Sequence, residues 1–99
     1  MSKTQTKIVA DIENHVRFCG GTYSQWYIGI AANPKNRLFI AHAVKEKGDV
    51  WIYRECANAE TARVIEEFFI SKGMDGGVGG GDSSTKCVYA YRKTSSTIE

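Results

Sequence analysis

Residues 26–38 read WYIGIAANPKNRL and join a β-prone run to a strong helix start. The first six residues alternate between the two faces of a strand, with Tyr27 and Gly29 on the same face. Asn33 can accept a backbone N–H as a helix cap, and Pro34 gives up a donor that has no partner in a first helical turn. This stretch therefore predicts a strand followed directly by a helix.

Hydrophobic periodicity and turn residues predict three helices and three strands along the chain. The predicted helices cover residues 7–19, 33–47 and 58–73, and the predicted strands cover residues 26–31, 49–56 and 86–93. A glycine-rich stretch, residues 73–84, precedes the last strand. It lacks the Gly-Lys-Ser/Thr ending of a phosphate-binding loop and follows a helix, so it is interpreted as a connector.

These elements predict a single α+β domain over residues 1–99. Helices and strands alternate, which by itself is typical of a parallel α/β sheet. However, the second helix and second strand are joined by a tight turn, and the loops differ widely in length. We therefore expect a small three-stranded sheet, mixed or antiparallel, packed with three helices.

Length and composition exclude several classes of function. A chain of 99 residues has no room for a dinucleotide-binding half together with a substrate domain. A net charge of +2 permits an anionic partner without identifying one. The three cysteines form no CxxC pair and are interpreted as reduced thiols. Since neither a leader nor an apolar membrane span is recognisable, we expect no membrane partner and a cytoplasmic location.

The helix start after the first strand carries the basic residues Lys35 and Arg37. Free N–H groups at a helix N-terminus and a planar guanidinium both suit phosphate oxygens. In the third helix, Glu66 lies at the border of the buried stripe, where a carboxylate is a candidate ligand for Mg²⁺. Metal-assisted phosphodiester cleavage needs such a metal, a cation and a group that orients or deprotonates water. Glu66, Arg37 and Tyr27 are candidates for these three roles.

The same residues resemble the GIY-YIG nuclease family. Tyr27-Ile28-Gly29 looks like the second half of the motif that names the family, and Arg37 lies eight residues after Gly29, where the family's essential arginine usually falls. Residues 62–70 resemble the family's later helix, with Glu66 at the metal-binding glutamate. The resemblance implies a GIY-YIG-like fold, an Mg²⁺ or Mn²⁺ ion on Glu66, Arg37 as the phosphate-stabilising cation, and a tyrosine pair that positions or activates the attacking water.

The first half of the family motif resembles Gly21-Thr22-Tyr23, which makes Tyr23 a candidate catalytic residue. Three residues separate Tyr23 from Tyr27, enough for only a very tight hairpin. One hypothesis is that the last strand takes the place of the family's first strand beside Tyr27. In that permuted arrangement Tyr89 or Tyr91 enters the site.

Histidine and the aromatic last strand add further candidates. Some members of the family use a histidine close to the position of His42 as a proton acceptor. On an ideal α-helix, five residues turn His42 about 140° away from Arg37. Tyr89 and Tyr91 have basic neighbours and are candidate substrate-binding residues, together with Lys35, because aromatic and basic side chains contact nucleic acid.

Two functions follow from this pattern. The first is a metal-dependent endonuclease that cleaves DNA phosphodiester bonds. The second is a catalytically inactive relative, a binding module that contacts nucleic acid or a partner protein. Taken singly, Tyr27 is also an ordinary sheet aromatic, Arg37 a solvated helix residue and Glu66 a surface carboxylate, as in a purely structural protein. Convergence of the three side chains on one cleft separates these interpretations.

Overall fold

The computed structural model describes residues 4–76 and 85–98. Its helices are α1 (Gln5–Cys19), α2 (Pro34–Asn36), which continues as a π-helical turn (Arg37–Ala41), and α3 (Ala59–Ser71); a short 3₁₀ turn covers Tyr23–Gln25. Its strands are β1 (Trp26–Ala31), β2 (Trp51–Glu55), β3 (Asp75–Gly76) and β4 (Cys87–Arg92). The α+β class is confirmed, and the sheet has four strands where three were expected.

The sheet is mixed, with strand order β2-β4-β1-β3. β4 lies antiparallel to both β1 and β2, and its register places Tyr91 opposite Tyr27 and Tyr89 opposite Gly29. The hypothesis that the last strand lies beside Tyr27 is confirmed. The extra strand, β3, pairs parallel with β1 over two residues, too few to produce a period-2 signal in the sequence. It comes from the glycine-rich connector, of which residues 77–84 lie outside the described residues.

One face of the sheet is covered by α1 and α3, and we call it the helical face. It buries the apolar stripes of both helices against alternate residues of the strands. These residues are Ile8, Ile12 and Val16 of α1, Ala62, Ile65 and Phe69 of α3, and Trp26, Ile28, Ile30, Ile52, Val88 and Ala90 of the sheet. The alternation predicted for β1 is therefore confirmed, β4 alternates in the same way, and the opposite side chains of these strands point away from this core.

The opposite face carries the tyrosines, and we call it the tyrosine face. Tyr89 and Tyr91 are buried there with Leu38 and Val44, which lie in and just beyond the π-helical turn, and Tyr27 packs against them. Trp51 and Tyr53 of β2 extend the aromatic surface toward the edge of the sheet, with nearly parallel rings 5.9 Å apart.

The second helix ends at Ala41, six residues before the Lys47 boundary that the sequence predicts. Ala43 takes a left-handed conformation with φ of 57°, which an α-helix cannot contain. The bend allows Val44 to be buried, and its N–H donates to the carbonyl of Leu38 at 2.8 Å. No glycine or proline marks this end, so the boundary is set by tertiary packing.

Among the described residues, no helix is long and apolar enough to cross a membrane.

Candidate functional site

Four rings meet on the tyrosine face, and we call Tyr27, His42, Tyr89 and Tyr91 the aromatic cluster. The His42 ring lies 4.8 Å from that of Tyr27, 5.5 Å from that of Tyr89 and 5.1 Å from that of Tyr91. His42 is 7% exposed and Tyr89 2% exposed, whereas Tyr27 is half-buried. Tyr27 is therefore the tyrosine on the solvent side, with His42 and the two β4 tyrosines behind it.

Hydrogen bonds determine which nitrogen of neutral His42 carries the proton. Nδ1 lies 2.6 Å from the carbonyl oxygen of Ile98, which can only accept, so Nδ1 is the donor. Nε2 of the neutral ring is then an acceptor, and the Tyr89 hydroxyl donates to it at 2.7 Å. The Tyr91 hydroxyl lies 3.1 Å from Nδ1 and donates to the same Ile98 carbonyl at 3.3 Å. The cluster thus holds a proton acceptor, Nε2, next to a phenolic donor.

The π-helical turn brings the backbone N–H of His42 to the backbone carbonyl of Arg37. The His42 N–H donates to the Arg37 carbonyl at 2.8 Å, an i→i+5 hydrogen bond. This spacing places residue 42 one turn above residue 37, whereas an α-helix would rotate it about 140° away. The angle expected for an ideal α-helix therefore does not apply here, because the local helix is a π-helix.

Gly29 allows Tyr89 to lie flat across β1. A Cβ atom added at Gly29 would be 2.5 Å from both Cζ and Oη of Tyr89, far inside van der Waals contact. The Tyr89 hydroxyl reaches His42 only because this position has no side chain. The glycine of the Tyr27-Ile28-Gly29 triplet thus has a direct steric role in building the cluster.

The pKa of the Tyr89 hydroxyl is influenced by several of the candidate site residues. Burial raises the pKa of Tyr89 above its ordinary value, and the neighbouring Tyr27 raises it further. The positive charge of Arg37 lowers this pKa, while the negative charge of Glu66 raises it. Tyr27, Arg37 and Glu66 therefore each lie close enough to Tyr89 to affect its pKa. The groove that Arg37 lines is, however, lined by neither Tyr27 nor Glu66, so the three side chains are not brought together in that groove. The high pKa keeps Tyr89 protonated at neutral pH, in agreement with its role as the donor to His42.

Glu66 is a buried carboxylate on α3. Its side chain is 5% exposed, although its helical neighbour Glu67 lies in solvent. Burial raises the pKa of Glu66, and this effect exceeds the opposing influence of Arg63. Within residues 4–76 and 85–98, its carboxylate has no hydrogen-bond or ion-pair partner. The surface interpretation of Glu66 therefore does not hold, although its carboxylate oxygens are not completely closed off from solvent.

Arg37 and Lys35 are both exposed, at the edge of the tyrosine face. Arg37 lines an open groove with Asn33, Asn36 and Thr85 at the end of β1, whereas Lys35 does not line it. Asn33 caps the helix as predicted, since its side chain accepts from the N–H of Asn36 at 3.2 Å. The guanidinium is thus free to approach an anion from solvent while its charge reaches Tyr89.

Tyr23 is placed away from the cluster. It lies in the 3₁₀ turn before β1 and packs against the helical-face core, with its ring 6.1 Å from that of Phe69. The short connection to Tyr27 forms this turn in place of a hairpin, so no strand carries Tyr23 across to the tyrosine face. The structure therefore does not bring Tyr23 together with Tyr27, and Tyr91 occupies the position opposite Tyr27 in its stead.

The fit of a divalent metal rests on Glu66. In the described part of the chain, no three His, Cys, Asp or Glu side chains form a metal-binding group. Mg²⁺ typically keeps several waters and is held by one or two carboxylates together with substrate phosphates. A single buried carboxylate without a protein partner fits that kind of ligation, and it does not fit a closed all-protein cage.

The chain matches no family model, no curated protein and no solved structure. Conclusions about function therefore rest on the geometry of the site.

Two residues that shape the cluster lie outside the site predicted from sequence. The sequence motif contains Gly29, but its role in admitting Tyr89 depends on the pairing of β1 with β4. Ile98 contributes its backbone, and no side-chain pattern signals a backbone hydrogen bond between residues 42 and 98. Only the three-dimensional arrangement identifies either role.

The Tyr89→Phe substitution tests the buried hydrogen bond. Removing the hydroxyl leaves His42 Nε2 without its donor, so we expect the free energy of unfolding to fall by about 1–3 kcal/mol in urea denaturation. Tyr53→Phe is the matched control, since Tyr53 is a half-buried tyrosine of the neighbouring strand whose hydroxyl makes no hydrogen bond to another described residue. We expect it to change stability by less than about 0.5 kcal/mol. Equal effects of the two substitutions would contradict the assigned bond.

Proposed function

We propose that the protein is a metal-dependent endonuclease of GIY-YIG type that hydrolyses DNA phosphodiester bonds. The observation that carries the proposal is the position of Tyr89, a buried phenol that donates to His42 and whose pKa is influenced by the charges of Arg37 and Glu66. A proton acceptor, an exposed cation and a carboxylate without a protein partner are the protein groups that hydrolysis of a phosphodiester needs. The sequence resemblance selects the same Tyr27, Arg37 and Glu66.

In the proposed reaction, the oxygen of a water molecule bonds to phosphorus and the bond to the leaving oxygen breaks. Tyr27, the half-exposed tyrosine, orients the water. The proton that the water loses passes to Tyr89 Oη as the Tyr89 proton passes to His42 Nε2, 2.7 Å away. Arg37 donates to the phosphoryl oxygens, where negative charge develops. The leaving oxygen takes a proton from solvent.

Glu66 is the residue that would hold the metal. A bound Mg²⁺ or Mn²⁺ polarises the phosphoryl group and stabilises negative charge in hydrolysis of this kind. The contribution of the chain is the buried position of the carboxylate, which keeps its charge weakly solvated and therefore strongly attractive to a cation. DNA is the proposed substrate because the exposed Arg37 groove suits a phosphate backbone.

Nicking of supercoiled plasmid DNA with Mg²⁺ or Mn²⁺ tests this function, with Arg37→Ala as the decisive variant. We expect nicking to slow by roughly 10²- to 10³-fold, because one charged donor to the developing charge is lost. Arg37→Lys should recover only part of the rate, since an ammonium lacks the planar two-pronged geometry. Arg17→Ala, which removes an exposed arginine from α1, is the control and should nick at the wild-type rate.

The same assay distinguishes the second function. Salt-sensitive DNA binding without nicking at any metal concentration would favour the inactive binding module. Wild-type nicking by Arg37→Ala would remove Arg37 from the mechanism and contradict the proposal.

A further inference from the structure

Residues 93–98, which follow β4, fold back over the aromatic cluster. Lys93 extends the sheet by donating its N–H to the carbonyl of Gln25 at 2.8 Å, and a turn follows in which Thr97 N–H donates to the Thr94 carbonyl at 3.3 Å. The turn is closed from the other side by Thr94 N–H, which donates to Thr97 Oγ1 at 3.0 Å. This turn reverses the chain and delivers Ile98 to His42. We call residues 94–98 the strap.

Ile98 contacts the cluster through its backbone. Its N–H donates to the carbonyl of His42 at 2.8 Å, while its carbonyl accepts from His42 Nδ1 at 2.6 Å and from the Tyr91 hydroxyl at 3.3 Å. Its side chain, in contrast, is 59% exposed. An exposed isoleucine side chain does not explain why residue 98 is held at this point, whereas three hydrogen bonds to two buried residues do.

We propose that the strap is a positioning element for His42. The acceptor-only carbonyl of Ile98 fixes the proton of the neutral ring on Nδ1, and Nε2 is thereby left as the acceptor for Tyr89. Without this contact, the imidazole can carry its proton on Nε2 instead. Nε2 then presents a donor to the Tyr89 hydroxyl and can no longer accept a hydrogen bond or a proton from it. The effect of the strap on hydrolysis rests on the proposed function, whereas its effect on the His42 tautomer does not.

The tautomer is measurable because the chain has only two histidines. Long-range ¹H–¹⁵N correlation spectra of the ¹⁵N-labelled protein report which ring nitrogen is protonated, and a His15→Gln variant assigns the two sets of signals. We expect His42 of the full chain to be the Nδ1–H form when neutral. In a chain that stops after Lys93, we expect the ratio of the Nδ1–H to the Nε2–H form to fall roughly tenfold, the loss of one hydrogen bond.

Two substitutions at position 98 complete the test. Ile98→Ala keeps all three backbone hydrogen bonds and should leave the tautomer unchanged. Ile98→Pro removes the N–H that anchors the strap to His42 and should shift the ratio in the same direction as the shortened chain. An unchanged tautomer in a folded shortened chain would overturn the proposal; if that chain does not fold, the Ile98→Pro spectrum decides in the same way.

Plasmid nicking separates this inference from the proposed function. If both hold, the chain without the strap nicks roughly tenfold or more slowly than the full chain, and Ile98→Ala nicks normally. If the His42 tautomer shifts in the shortened chain while the full chain does not nick DNA, the positioning role of the strap is supported and the nuclease function is contradicted. Full nicking by a shortened chain whose tautomer has shifted would overturn the strap's catalytic role.

Discussion

Replacing Glu66 by glutamine is expected to abolish plasmid nicking while making the protein more stable. The amide keeps the shape of the side chain but loses the charge that attracts the metal, so nicking should fall by roughly 10³-fold or more. At neutral pH the buried charge of Glu66 has no partner among the described residues, and removing it should raise the free energy of unfolding by about 1 kcal/mol. A residue that lowers stability where it stands is typical of a functional site.

The stability gain from Glu66→Gln should depend on pH. Burial raises the pKa of Glu66 in the folded protein above the unfolded value of about 4.3. The contribution of this carboxyl to the free energy of unfolding is therefore complete below pH of about 4 and is lost as the pH rises through the folded-state pKa. Glutamine does not titrate, so urea denaturation should show a larger advantage of the variant at pH 7 than at pH 4.

Glu67→Gln is the matched control for this pair of effects. It removes a charge from the adjacent, exposed position of α3 and should change neither nicking nor stability by a measurable amount. Added Mg²⁺ should raise the melting temperature of the wild-type protein and of Glu67→Gln, because a ligand that binds only the folded state stabilises it. The melting temperature of Glu66→Gln should not respond. Normal nicking by Glu66→Gln would exclude Glu66 as the metal ligand.

Gly29→Ala should be the most destabilising conservative change on the tyrosine face. The added methyl group would lie 2.5 Å from the end of the Tyr89 ring, which is buried and hydrogen-bonded to His42. β4 pairs with β1 at Gly29, and β3 pairs with Tyr27 and Ile28 just before it, so the backbone has little room to move away. We expect the free energy of unfolding to fall by about 3 kcal/mol and the melting temperature by roughly 15 °C.

A double-mutant cycle with Tyr89→Leu tests whether the clash with Tyr89 is the cause. Leucine lacks the ring atoms that the new methyl group would meet, so Gly29→Ala should be much less destabilising in that background. Strictly additive effects would show that the cost of Gly29→Ala arises elsewhere in β1. Plasmid nicking by Gly29→Ala should fall together with stability, because displacing Tyr89 separates it from His42.

Local signals predicted most of the secondary structure because they act over a few residues. The alternation in residues 26–31, the Asn33 cap and the apolar stripes of α1 and α3 all appear as expected. The end of the second helix was wrong, since the bend at Ala43 serves the burial of Val44 and no residue near it is a helix breaker. β3 was missed because two residues carry no periodicity.

Sequence by itself determined which functional groups are present: a glycine two residues after a tyrosine in a strand, an arginine at the following helix start, and a glutamate at the edge of an apolar stripe. Tertiary structure decided which of these groups meet. Strand order brought Tyr89 and Tyr91 to Tyr27, a π-helical turn brought the His42 N–H to the Arg37 carbonyl, and a reversal of the chain brought the Ile98 carbonyl to His42. Spacing along a chain is a local property, whereas pairing between distant strands and backbone hydrogen bonds depends on how the whole core packs.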